Sequence, residues 1–413
     1  MQNRVVITGM GVISPLGLDV ENFWTNLTSG ISGVDYITFF DTENYTTRIA
    51  AEIKDFNPTD FLEKKEARRM DRFTHFAMAA AGQAIKDADL KLETLNRERI
   101  GVILGSGIGG IGTLEEQHNI LINRGPDRIS PFFITMLIPN MGAGQIAIAY
   151  GLRGYNMATV SACASSNNAL GDAYSLIKQG YADAMIAGGA EAPITPLAIA
   201  GFCSMKAMST YNEEPKKASR PFDLNRDGFI IGEGAAMLVL EKLEHALARG
   251  AKIYAEIAGY GCTCDAYHIT APEPDGKGAT KAMELALLDA GVLTSDVDYI
   301  NTHGTSTPLG DKVESVAIKN LFNGSTGHLA VSSTKSMTGH LLGAAGGVEA
   351  VICVMTICKK VVPPTINYDH PDPECDLDYV PNKARPVPVK IALNNSFGFG
   401  GHNVSLLFRE FEG

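Results

Sequence analysis

Three short segments of this 413-residue chain hold residue types that could do nucleophilic chemistry. The first is Val160-Ser161-Ala162-Cys163-Ala164-Ser165-Ser166. The pattern places Cys163 between a short strand and a helix ending near Lys178. A thiol there gains thiolate stabilisation from the unpaired N–H groups and the helix dipole. Its small neighbours leave room for an acyl group. Taken alone, the segment fits a small buried core thiol equally well. The second is Asn301-Thr302-His303-Gly304-Thr305-Ser306-Thr307-Pro308. An imidazole after a strand, beside glycine and several hydroxyls, is poorly explained as core; a hydrogen-bonded turn is the alternative. The third is Ser333-Thr334-Lys335-Ser336-Met337-Thr338-Gly339-His340, followed by Gly343-Ala344-Ala345-Gly346 and Glu349. Lys335, His340 and Glu349 interrupt an otherwise small and apolar run. Buried Lys and Glu are rare unless paired. If this helix is internal they point to pairing or function; a helix-start cap with one solvated Lys is the alternative.

The elements that must position these groups occur twice. Residues 4–8 read as a buried strand closed by Gly9 and Gly11. A helical pattern over 73–88 passes through Asp87-Ala88-Asp89-Leu90 to a strand at Ile100–Leu104 and a glycine loop. A second helical pattern ends in Asp289-Ala290-Gly291-Val292, then a strand at Val297–Asn301 leads to the His303 loop. Likewise Ala158–Ala162 opens an Ala-rich helix near 168–178, and Leu329–Ser333 opens the Gly/Ala-rich segment 340–358. The spacing predicts an internal duplication in α/β order, with halves at roughly 1–250 and 251–413. The one obvious long loop is 209–227.

Other classes fall away on composition. Lys plus Arg is 35 against 46 for Asp plus Glu, a net charge of −11 with no long basic run, which argues against nucleic acid. Seven irregularly spaced Cys behind an N-terminus without a leader pattern read as reduced cytoplasmic thiols. The apolar stretch near Val348–Cys358 reads as too short to span a bilayer. Gly105-Ser106-Gly107-Ile108-Gly109-Gly110 fits a dinucleotide fingerprint, but Arg124-Gly125-Pro126-Asp127-Arg128 stands where a second strand and its acid should follow. A glycine turn for close packing is the better reading. Asp223–Gly228 opens like a calcium loop, but its twelfth position is Gly234. Cys262-Thr263-Cys264 lacks a second pair at zinc spacing and reads as two core thiols.

Together, Cys163, His303, Lys335 and His340 in these contexts resemble the β-ketoacyl-acyl-carrier-protein synthases of the thiolase superfamily. The resemblance spans the chain, from Arg4–Gly11 through Arg220-Pro221-Phe222-Asp223 to Asn395-Ser396-Phe397-Gly398-Phe399-Gly400-Gly401. A Cys-His-His set is similar to the elongating enzymes, and Ile108 in the glycine loop to their type II. The resemblance implies a thiolase-like α/β fold, two duplicated halves in an αβαβα five-layer arrangement, the site between them, and a homodimer. It implies a decarboxylative Claisen condensation in fatty acid elongation. Cys163 would take an acyl group from phosphopantetheine, and backbone N–H groups of Cys163 and Phe399 would form the oxyanion hole. Neutral His303 and His340 would donate to the enolate left by malonyl decarboxylation. Lys335 and Glu349 would organise them, and Phe399 would gate the cysteine. Ile108, Phe133 and Phe202 match acyl-pocket positions; Thr270, Thr305 and Thr307 match pantetheine contacts. No metal or redox cofactor is implied. A ketosynthase of a dedicated polyene or polyketide pathway is the alternative; the retained Cys163 argues against a silent chain-length partner.

The implied partner is an acidic carrier protein, which an acidic chain can bind only through a local basic patch. Lys64, Lys65, Arg68, Arg69 and Arg72 supply one, and their spacing of four predicts a shared helix face. Like charges at that spacing cost helix stability, so a partner explains them better than chance; a solvated face tempered by Glu63, Glu66 and Asp71 is the alternative. Two places depart from the family pattern: the run after Cys163, where many relatives carry Gly or other residues near Ser166, and His402, where Thr is usual.

Overall fold

A computed structural model describes residues 3–413. Met1 and Gln2, where the expected leaderless start and the first half begin, lie outside the described residues. Ten strands form one hydrogen-bonded sheet: β1 (Val5–Ile13), β2 (Ile100–Gly105), β3 (Asn156–Thr159), β4 (Ala184–Glu191), β5 (Gly234–Lys242), β6 (Ala255–Cys264), β7 (Tyr299–Asn301), β8 (Ala330–Ser332), β9 (Ile391–Gly398) and β10 (His402–Arg409). Their order across the sheet is β3-β2-β4-β5-β1-β6-β10-β9-β7-β8. Outward from the centre, one half runs β1-β5-β4-β2-β3 and the other β6-β10-β9-β7-β8, which is the same order. The strand senses repeat as well. β1/β5 and β5/β4 are antiparallel while β4/β2 and β2/β3 are parallel. β6/β10 and β10/β9 are antiparallel while β9/β7 and β7/β8 are parallel. The halves join where Val5 on β1 faces Ile257 on β6.

Five helices build the layers: α1 (Arg72–Asp87), α2 (Ser165–Lys178), α3 (Lys277–Ala290), α4 (Pro308–Leu321) and α5 (Ala345–Lys359). α1 covers β1, β4 and β5; α3 covers β6 and β10, with α4 against it. α2 and α5 touch each other and strands of both halves. The thiolase-like layering is therefore outer helix, half-sheet, helix pair, half-sheet, outer helices. α1 and α3 also stop alike, in left-handed Asp89 (φ 45) and Gly291 (φ 65), the two turns that looked equivalent in the sequence.

Several sequence expectations need correction. β1 does not close at Gly9 and Gly11 but runs on to Ile13. A Cβ on either glycine would overlap a carbonyl of α1, Ala84 or Ala80, so the glycines serve helix-on-strand approach. Gly259 and Gly261 on β6 do the same beneath Ala286 and Ala282 of α3. β3 ends at Thr159, three residues before the expected Ala162, and β7 begins at Tyr299, not Val297. The helical run Leu342–Lys359 is 18 residues with mean hydropathy 1.6, long and apolar enough to cross a membrane after all. Its burial between the half-sheets, 89%, explains its apolarity instead. Cys262 and Cys264 are exposed, not core, because they lie at the far end of β6. The loop 209–227 is irregular apart from Pro215–Ala218, but it is matched by a second irregular stretch over 363–384. Asp223 ties the two together by accepting N–H bonds from Asp369 (2.9 Å) and His370 (2.6 Å).

Candidate active site

After β3 the chain turns through Ala162 (φ 50) into a single 3₁₀ turn, Ala162–Ala164, before α2 begins. A left-handed non-glycine residue costs about 1 kcal/mol, so the turn must be held from outside. Gly398 at the end of β9 does this: a Cβ there would sit 2.7 Å from the Ser161 carbonyl oxygen. The turn presents Cys163, 8% exposed, with the N–H groups of Phe399 and of Cys163 itself directed at its sulfur. Burial pushes this thiol up to about 12, against the opposing pull of Lys335 and the two N–H groups. The expected thiolate stabilisation at the helix start is thus outweighed by desolvation.

His303 follows β7, and His340 follows the short helix Lys335–Thr338. The backbone N–H of His340 donates to Ile230 at 2.7 Å, fixing that segment beside β5's entry. His340 Nε2 lies 3.1 Å from Cys163 Sγ. The two imidazoles stand nearly perpendicular, 84°, with centroids 5.3 Å apart. Burial first, and the Lys335 charge second, hold both well below the ordinary histidine range; His340 adds to the effect on His303. Each ring is therefore neutral at pH 7 and carries one N–H donor. Lys335 and Glu349 form a buried ion pair behind them, from opposite ends of the Gly/Ala-rich segment. Burial raises the Glu349 carboxyl, and Lys335 opposes that rise.

Two buried carboxylates escaped the sequence reading. Glu191, at the end of β4, accepts N–H bonds from Gly107 (2.6 Å), Ile108 (3.1 Å) and Gly343 (2.9 Å) and the Ser106 hydroxyl (2.9 Å). The glycine loop that mimics a nucleotide fingerprint is thus wrapped around a carboxylate of its own chain. Glu314, on α4, accepts the N–H groups of His303 (2.9 Å) and Gly304 (2.7 Å). Burial raises it to about 7, against those two bonds and Lys335. Neither residue has a local signature, since each is bound by backbone amides, those of Glu191 in distant loops and those of Glu314 in the loop just before its helix.

The three groups open on a cavity of about 520 Å³. Cys163, His303, His340 and Phe399 line it, as do Ile108, Phe202, Thr270, Thr305 and Thr307. Phe229, also on the lining, stands edge-on to Phe202 at 5.4 Å and to His340 at 5.5 Å. Phe133 does not line the cavity; it sits half-buried in the separate helix Phe133–Leu137. His402 is exposed, opposite Cys264 across the β6/β10 pair, and Ser166 is buried, its hydroxyl accepting the Gly347 N–H at 2.8 Å.

The basic cluster is not one helix face. The helix Lys64–Ala67 ends at once, and Asp71 caps the separate α1 by accepting the Phe73 N–H. Arg72, half-buried, is committed to a pair with the buried Glu233 at 2.7 Å. Arg69 lies over the Phe132 ring at 4.8 Å. Lys64, Lys65, Arg68 and Arg69 remain exposed. Lys206, unremarkable in sequence, is an exposed cation on the cavity lining.

Comparisons with known proteins identify the family and the fold. Residues 2–246 match the model of the β-ketoacyl synthase N-terminal domain, and residues 254–369 that of the C-terminal domain. A Synechocystis protein named 3-oxoacyl-[acyl-carrier-protein] synthase 2 is 56% identical over 411 residues, covering 100% of this chain and 99% of that one. A solved β-ketoacyl synthase from Burkholderia phymatum superposes with TM-score 0.93 at 38% identity, over 99% of this chain and 100% of that one. A ketosynthase solved in complex with its type II PKS acyl-carrier protein gives TM-score 0.93 at 37% identity, covering 100% of both chains. The chain belongs to the β-ketoacyl synthase family.

Proposed function

We propose that this chain elongates fatty acyl groups on acyl-carrier protein, condensing an acyl-enzyme thioester with malonyl-carrier protein to give 3-oxoacyl-carrier protein and CO2. The observation that carries the reading is the convergence of Cys163, His303 and His340 on one cavity, with His340 Nε2 3.1 Å from the sulfur. Identity favours fatty acid elongation over a dedicated polyene or polyketide pathway: 56% to the synthase 2 relative, against 37% to the polyketide ketosynthase.

Cys163 attacks the acyl thioester, its proton leaving with the departing pantetheine sulfur. The Cys163 and Phe399 N–H groups, already aimed at the sulfur, meet the oxyanion that forms beside it. Malonyl-carrier protein then loses CO2, and the neutral N–H donors of His303 and His340 hold the enolate oxygen. The carbanion attacks the Cys163 thioester and expels the thiolate, which takes a proton from solvent to regenerate the thiol. Loss of CO2 drives the bond formation, so the chemistry calls for no redox cofactor or metal. Lys335 and Glu349 fix the local charge; Ile108 and Phe202 bound the acyl chain; Thr270, Thr305 and Thr307 face pantetheine; Phe399 gates the entry. The exposed Lys64, Lys65, Arg68 and Arg69, joined by Lys206, receive the carrier protein.

The halves 1–250 and 251–413 are the two structural units. The working form is a homodimer, which would cover exposed Ile122, Ile148 and Val160 and place Phe133 in an interface, not in its own pocket. Seven free thiols favour a cytoplasmic setting.

The test is reconstitution with acyl-carrier proteins of graded chain length plus malonyl-carrier protein. A 3-oxoacyl product two carbons longer than a straight-chain donor, with one CO2 per product, is the expected result. Turnover of polyene or polyketide donors only would overturn it.

A further inference from the structure

One ligand atom each of Cys163, His303 and His340 lies within 4.8 Å of the others, in a buried cluster. We propose that this trio also takes a borderline or soft transition-metal ion, zinc being the representative case, as an inhibitor that occupies the acyl position. The inference deepens the site assigned above but rests on its geometry, not on which acyl chain it elongates.

Thiolate and imidazole are the donors such ions prefer. A tetrahedral zinc ion, with sulfur at about 2.3 Å and nitrogens at about 2.0 Å, holds its ligand atoms roughly 3.5 Å apart. His340 Nε2 and Cys163 Sγ are at 3.1 Å already. The widest separation in the trio, within 4.8 Å, needs a closure of about 1 Å to reach that geometry. Nδ1 of each imidazole is buried without a hydrogen-bond partner, so no bond at that atom locks either ring against turning. The fourth position faces the cavity, where water or a carboxylate can complete the shell.

The way in suits a cation. Asp227, Asp265 and Glu273 line the cavity, against Lys206. Lys335 opposes a cation at the trio, but its charge is matched by Glu349. Binding is an exchange without redox: one metal–sulfur and two metal–nitrogen bonds form, the thiol proton passes to solvent, and the metal-bound waters that these three ligands replace are lost. A sulfur bonded to metal cannot hold an acyl group, so the two occupancies exclude one another.

The test uses Co2+ and then Zn2+ with the full-length protein. Equilibrium dialysis counts ions per chain, and absorption reads the thiolate-to-cobalt charge-transfer band, which carboxylate sites do not give. The expected result is one ion per chain with that band, loss of both in Cys163→Ser, and at least tenfold weaker binding in His303→Ala and His340→Ala. The double variant Cys262→Ser/Cys264→Ser removes the exposed thiols and is expected to bind as wild type. Wild type loaded with an acyl group is expected to bind no ion with the band, an arm that needs no folded variant. Binding retained in Cys163→Ser, or an ion and an acyl group on one Cys163, would overturn the proposal. Acylation without metal binding sinks this inference alone; metal binding without acylation sinks the elongation reading alone.

Discussion

At Cys163 two effects oppose each other. The N–H groups around the turn and the Lys335 charge favour thiolate, while burial disfavours it and wins, leaving the thiol at about 12. At pH 7 the resting sulfur is therefore protonated. Alkylation of Cys163 by iodoacetamide, followed by peptide mass, is expected to rise about tenfold per pH unit from 7 to 9. A plateau below pH 8 would mean a resident thiolate. Cys163, His303, Lys335, His340 and Glu349 were legible because each interrupts a run of Gly, Ala, Ser or Thr. Glu191 and Glu314 were not. Their partners are backbone amides, up to 152 residues away for Glu191, and an amide leaves no trace in composition.

Among the elements, the duplication was legible because helix, turn and strand recur, each turn opening on Asp-Ala. What misled was glycine. In β1 and β6 it stands inside the strand, under a helix, where a sequence reader sees punctuation. Gly261→Ala would drive its Cβ into the Ala282 carbonyl of α3. We expect a loss of about 3 kcal/mol or more in urea unfolding, since backbone, not a flexible side chain, must move. An unchanged midpoint would mean that α3 does not sit that close. The basic segment was misread for a different reason. Asp71 before Arg72 is an N-cap, so a new helix starts there and breaks the face that the spacing of four suggested.

Across the whole molecule, apolarity alone could not tell a central helix from a membrane span. Leu342–Lys359 is apolar because half-sheets cover it on both sides. The opposite case is the exposed apolar surface: Ile122 is 70%, Ile148 73% and Val160 60% exposed. Ile148 lies on the helix Asn140–Tyr150 packed against β3, and Val160 directly follows β3, which ends the sheet order and leaves one side unpaired. The proposed homodimer would cover both features. Light scattering is expected to give twice the 44.1 kDa chain mass. Ile148→Asp is expected to shift the population toward monomer with the far-UV spectrum retained. A monomeric wild type would contradict the dimer.

The most direct test of the central claim is intact mass after mixing the protein with an acyl-carrier protein, beside Cys163→Ser. The account predicts one acyl adduct per chain on Cys163, absent from the variant, and discharged when malonyl-carrier protein is added. An adduct that survives in Cys163→Ser, or one that malonyl-carrier protein leaves in place, would contradict it.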